Sequence, residues 1–187
     1  DVDIAIIDTG LDSDHPDLRI NPYGVRFYVS RNRIVSDSRW EDDNGHGTHV
    51  GGTAAAIDNG LGVVGVAPGA RLTAVKVLGA NGTGILSAII AGVDWVAARA
   101  DTFEVANMSL GGGYSQAEND AVRKAVEKGV VFVVAAGNEG ANAGSYSPAS
   151  ELTAITVSAL ADSDGLPGGL GTITSYGADD TLASFSN

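Results

Sequence analysis

Cysteine is absent from the 187-residue chain, which excludes disulfides, thiolate metal sites and cysteine nucleophiles while leaving the compartment open. Long apolar runs are missing too. Gly, Asp, Asn or Arg interrupts every hydrophobic stretch well short of the roughly 18 residues that a membrane helix needs. Basic residues are scarce: 11 Lys plus Arg stand against 23 Asp plus Glu, a net charge of -12, with no Lys/Arg-rich run. Neither nucleic acid nor a membrane is therefore an expected partner. What is abundant is small or apolar, with 44% hydrophobic residues and 26 glycines, the composition of a folded domain rather than a disordered acidic tail. The length fits one domain over residues 1–187 with a single sizeable core.

Short apolar runs recur at Asp1 to Asp8, Leu72 to Leu78, Val105 to Met108, Val130 to Ala135 and Ile155 to Val157, each read as a buried strand. Helical patterns lie between them. Ile85, Ala88, Ile89, Gly92, Val93 and Val96 share one face, as do Ala117, Ala121, Val122, Ala125 and Val126. Ser115 and Glu118 have capping-box spacing, Lys128-Gly129 supply a cation and a left-handed stop, and a further helix is predicted from about Thr48 to Ile57. The resulting order predicts an α/β fold: three layers, a doubly wound, mainly parallel sheet with helices on both faces, and functional groups at the carboxyl ends of strands. Gly79 to Gly84, Leu110 to Ser115 and Gly137 to Ser150 read as loops. The chain opens on a strand without an initiator Met, and Leu182 to Phe185 reads as the start of an edge strand, so the domain is expected to be truncated at both ends.

Three residues at strand ends or a helix start carry reactive chemistry. Asp8 follows the first strand in Asp-Thr-Gly, His46 stands between glycines in Gly45-His46-Gly47-Thr48-His49, and Asn138 follows the fourth strand in Gly137-Asn138-Glu139-Gly140. Taken singly, each is also a turn or cap residue. Together they would sit on one edge of the sheet, where a side-chain amide can donate to a developing oxyanion. An aspartic-protease dyad is excluded, because no second Asp-Thr-Gly or Asp-Ser-Gly occurs. Zinc held by His46 and His49 lacks the Glu of His-Glu-x-x-His and has only His15 as a further histidine. Gly60-Leu61-Gly62-Val63-Val64-Gly65 matches a dinucleotide fingerprint but follows a helix and precedes a strand, the reverse of what that site requires.

Five motifs now stand in order: Ala5-Ile6-Ile7-Asp8-Thr9-Gly10 with His15-Pro16-Asp17-Leu18, Gly45 to Thr53, Gly65-Val66-Ala67-Pro68, Asn107 to Gly112, and Ala135 to Gly140. In this order they resemble the subtilisin-like serine proteases over essentially the whole chain. The resemblance implies a serine endopeptidase acting on protein or peptide substrates, with Asp8 orienting the imidazole, His46 as general base then acid, and Asn138 holding the oxyanion. It implies that Gly82-Thr83-Gly84 and Ser109-Leu110-Gly111-Gly112 are the two edges between which a substrate strand is added, with Ala135, Ala136, Gly137 and Glu139 bordering it. Glu139 at that border is expected to admit a basic side chain. His49 would be a structural histidine. A calcium ion is implied at Asp17, the Asn59 side chain and the carbonyls of Ile57, Leu61 and Val63, together with secretion and a removable pro-segment. The departure is the nucleophile: no Gly-Thr-Ser-Met-like motif occurs, and Ser109 lies in a strand, not at a strand-to-helix elbow. The expectation is a peptidase whose serine lies outside this chain, which alone would be inert. The alternative is a peptide-binding or structural α/β module without catalysis.

Overall fold

The computed structural model describes residues 2–187. Its centre is β1 (Asp3–Asp8), a strand with every residue buried, because parallel strands lie on both sides of it and helices on both faces. β4 (Arg71–Lys76) pairs with it in register from Asp3↔Arg71 to Asp8↔Lys76, and β5 (Val105–Met108) flanks the other side. Alternation decides where each side chain goes. Ala5 and Ile7 join the core beneath α2 (Leu86–Ala97) and α3 (Gln116–Glu127), while Ile4 and Ile6 join the smaller core beneath α1 (His46–Ala55). Each fully buried isoleucine stabilises the fold by about 1.5–3 kcal/mol.

Outward from β1 the sheet continues through β5 to β7 (Val131–Ala135) and β9 (Ile155–Val157) on one side. On the other side it runs through β4 to β2 (Val25–Ser30) and β3 (Arg33–Asp37), so the order is β3-β2-β4-β1-β5-β7-β9. The mainly parallel α/β architecture expected from the sequence is present. The β2–β3 hairpin was not expected. Its two-residue turn places Arg31 (φ 49°) and Asn32 (φ 59°) in the left-handed region, as a tight hairpin demands, but without the Gly that usually signals one.

Several boundaries differ from the sequence reading. β9 is an exposed edge strand, with Ile155 54% and Val157 50% accessible, because only β7 pairs with it. On α3, Ala117 is exposed while Glu118 and Asn119 are buried with Ala121, Val122 and Ala125. Leu110 to Ser115 is not wholly loop: β6 (Gly112–Gly113) pairs with β8 (Tyr146–Ser147). The strand expected at Leu182 to Phe185 is reduced to β11 (Thr181–Leu182). That strand pairs with β10 (Leu160–Ala161) away from the main sheet.

α1 begins at His46, two residues before the predicted start, because its cap comes from outside the helix. Gly45 at the N-cap is left-handed (φ 100°) and offers no side chain. The Asp42 carboxylate instead accepts from the amides of Asn44, Gly45 and Thr48. Gly47 brings the helix against the turn after β1, since a Cβ there would lie 2.2 Å from the Gly10 carbonyl.

Candidate active site

The carboxyl end of β1 delivers Asp8 and the first turn of α1 delivers His46. Asp8 is completely buried, and its Oδ1 lies 2.8 Å from His46 Nδ1 and accepts from the Thr9 amide at 2.6 Å. With a carboxylate as the acceptor, the ring proton sits on Nδ1 and the Nε2 lone pair is left free. The imidazole is 49% accessible, so that lone pair can reach a substrate-sized group. A base exposed to a cleft can take a proton at Nε2, and a carboxylate held dry behind it stabilises the resulting imidazolium.

A polar lattice holds the two segments together. Thr9 Oγ1 donates to Asp42 Oδ1 at 2.8 Å and accepts from Gly47 N at 2.9 Å. Thr48 Oγ1 donates to Asp42 Oδ2 at 2.6 Å. Burial alone would raise the Asp42 pKa, but the bonds from the Thr48 hydroxyl and from the Gly45, Thr48 and Asn44 amides outweigh it and hold it at about 2. Asp42 is therefore a charged acceptor at neutral pH. Sequence reasoning assigned no role to Thr9 and Asp42, although Thr9 directly follows Asp8 and Asp42 stands four residues before His46 in the same polar run.

His46 opens onto a cleft of about 330 Å³ lined by Thr9, Asn44, Leu78, Gly82, Thr83, Gly84, Ile89, Ser109, Leu110 and Gly111. The two segments expected to flank a substrate thus meet at the histidine. Their glycines have different causes. At Gly84 a Cβ would lie 2.6 Å from the Val77 carbonyl, so internal packing requires glycine there. At Gly112 a Cβ would meet nothing within 4 Å, so internal packing does not require glycine there.

A smaller recess of about 110 Å³ joins Ser109 to Gly112 with Ala135 to Glu139. Asn138 lies on this recess rather than in the His46 cleft, and the two share Ser109, Leu110 and Gly111. The left-handed Gly137 (φ 110°) turns the chain into this loop. Asn187 clasps it: Oδ1 accepts from the Glu139 and Ala141 amides at 2.9 Å, and Nδ2 donates to Ala136 O at 3.0 Å. Glu139 Oε2 accepts from its neighbour's amide, Asn138 N, at 2.9 Å and from Asn187 Nδ2 at 2.7 Å. That oxygen is held within the loop.

The calcium set falls at a separate place. Asp17 is buried, and its Oδ1 has no hydrogen-bond partner among the described residues, while Oδ2 accepts from Val63 N at 3.3 Å. A Cβ on Gly62 would lie 2.5 Å from Oδ2, and the Ile57 amide donates to the Asp17 carbonyl at 2.9 Å. Asn59 Oδ1 accepts from Leu61 N, closing the turn. A dry carboxylate oxygen without a donor beside a loop rich in carbonyls fits a hard cation. The zinc alternative gains no support: among the described residues, only Asp162, Asp179 and Asp180 bring three candidate ligands close together, and no histidine is among them.

The family model described as subtilase matches residues 1–187. The chain is 48% identical over 164 residues to a subtilisin-like protease of Coccidioides posadasii, covering 86% of this chain and 38% of that protein. It is 46% identical over 159 residues to subtilisin BL of Lederbergia lenta, covering 84% and 55% respectively. The crystal structure of a cold adapted subtilisin-like serine proteinase superposes with a TM-score of 0.75 at 37% identity, covering 100% of this chain and 59% of that one. The chain thus spans between about two fifths and three fifths of the length of these relatives. The family match extends over the strand, helix and loop that carry Asp8, His46 and Asn138: the chain belongs to the subtilase family.

Proposed function

We propose that the protein containing this chain is a serine endopeptidase in which Asp8 and His46 are two members of the triad and the nucleophilic serine lies outside these 187 residues. The observation that carries the reading is the 2.8 Å contact between a fully buried Asp8 and the Nδ1 of a cleft-facing His46. A pure binding module has no chemical need of that pair. A peptide laid as a strand between Gly82 to Gly84 and Ser109 to Gly112 presents its carbonyl carbon beside His46. The serine Oγ attacks that carbon while its proton passes to His46 Nε2, and the negative charge moves to the carbonyl oxygen, where the Asn138 amide donates. His46 then returns the proton to the departing amine, and water repeats the sequence on the acyl-enzyme.

In the same reading, Asp17, the Asn59 side chain and the carbonyls of Ile57, Leu61 and Val63 hold calcium. When bound, the ion supplies structural cross-linking of this loop to the segment before β2, and no catalytic step passes through it. Secretion and a removable pro-segment rest on family membership alone. Among the described residues no helix is long and apolar enough to cross a membrane.

The deciding experiment is a denaturing intact-mass spectrum of the purified protein before and after a fluorophosphonate that labels activated serines. Uptake of one label on a species longer than the 18.9 kDa chain supports the peptidase. Absence of labelling on every species overturns it in favour of a peptide-binding module.

A further inference from the structure

Lys76 is a buried charge in the layer that carries the candidate pair, and the proposed chemistry does not use it. It lies on β4 as the register partner of Asp8, with its side chain only 4% accessible. Its Nζ donates to the carbonyl of Thr9, the residue after Asp8, and lies 2.6 Å from Asp43 Oδ1, three residues ahead of His46. Burying an ammonium costs several kcal/mol unless good partners offset it, and an apolar side chain would fill a strand position in this core at no such cost. A compact ammonium with three donors can, however, grip acceptors on two separate segments at once.

We propose that Lys76 is a positioning residue for the Asp8–His46 pair, fixing the turn that carries the carboxylate against the loop that launches the imidazole. The Thr9–Asp42 bond joins the same two segments directly. Lys76 adds the rigid frame of a third element, a sheet strand that can move only with its neighbours. It acts through Asp8 and His46 and touches no substrate, so its loss lowers turnover and leaves binding alone. The kinetic part of this inference rests on the peptidase reading, while the spectroscopic part does not.

The test uses the serine-bearing protein that contains this chain, with Asp43→Asn and Lys76→Met compared after active-site titration. Asp43 is 55% accessible, so its substitution leaves the core intact and decides the matter if Lys76→Met does not fold. We expect kcat to fall about fivefold in Asp43→Asn and on the order of 50-fold in Lys76→Met, with KM within about twofold, as for a sub-ångström misplacement of catalytic groups. The low-field proton resonance of His46 Nδ1, hydrogen-bonded to Asp8, should broaden or move upfield in the same order. Parent-like kcat and resonance in Asp43→Asn overturn the proposal, as does a rise in KM at constant kcat. If the unaltered protein neither hydrolyses peptides nor takes up fluorophosphonate, the peptidase reading fails. The resonance then decides the role of Lys76 by itself.

Discussion

Asp8 is closed to bulk solvent, yet the described residues engage only one of its oxygens. Oδ1 serves both Thr9 N and His46 Nδ1, and Oδ2 is buried without a partner. A buried acceptor left unpaired costs about 1–3 kcal/mol, a penalty that stability alone gives no reason to retain. His46, by contrast, is half exposed and contributes little packing. His46→Ala should therefore leave the circular dichroism spectrum and calcium binding unchanged while peptide hydrolysis falls by roughly 10⁶ in kcat, the scale known for triads of this type. Initial rates on a chromogenic peptide check this, and normal turnover in the variant sinks the mechanism. Asp8 and His46 were legible in the sequence because each stands in a short motif at a strand end or helix start. The clasp by Asn187 was not, since a residue 48 positions beyond Glu139 is brought to it only by the fold.

α3 carries the clearest conflict between local pattern and tertiary environment. Ser115 caps Glu118 N as the sequence suggests, but the reciprocal half of the box is missing, because Ser115 N donates instead to Ser147 Oγ at 2.9 Å. Glu118 is left 3% accessible with Oε1 unpartnered among the described residues, and burial raises its pKa from 4.5 to about 7. The folded state therefore holds a proton that the unfolded chain has released between pH 4.5 and about 7. Stability falls as pH rises through that window, by about 3 kcal/mol in total. Glu118→Leu should raise the melting temperature at pH 8 and change it much less at pH 4. A shift of equal size at both values would show that the carboxyl is not the cause. The same tertiary override explains which elements were readable. β1, β5 and β7 announce themselves as apolar runs, whereas the half-buried β2 and the mostly exposed β3 are broken by Arg and Ser, with a turn free of glycine. No periodicity marks them out from loop.

For the molecule as a whole, a net charge of -12 favours cation binding in general, so the Asp17 site must be tested by a specific loss. Saturating calcium at about 100 times its dissociation constant should stabilise the folded protein by about 2.7 kcal/mol, and Asp17→Asn should remove the calcium dependence of the melting temperature. A calcium-induced rise that survives in the variant would place the ion elsewhere. The strand order carries a further consequence, which concerns biosynthesis. On one flank β1, β5, β7 and β9 lie in the order in which a ribosome makes them, so each new strand adds to a surface already formed. On the other flank the order outward from β1 is β4, β2, β3, and the early hairpin cannot dock until residues 71–76 have emerged to fill the gap. One half of the sheet can grow as the nascent chain lengthens, while the other must hold its first-made strands in waiting.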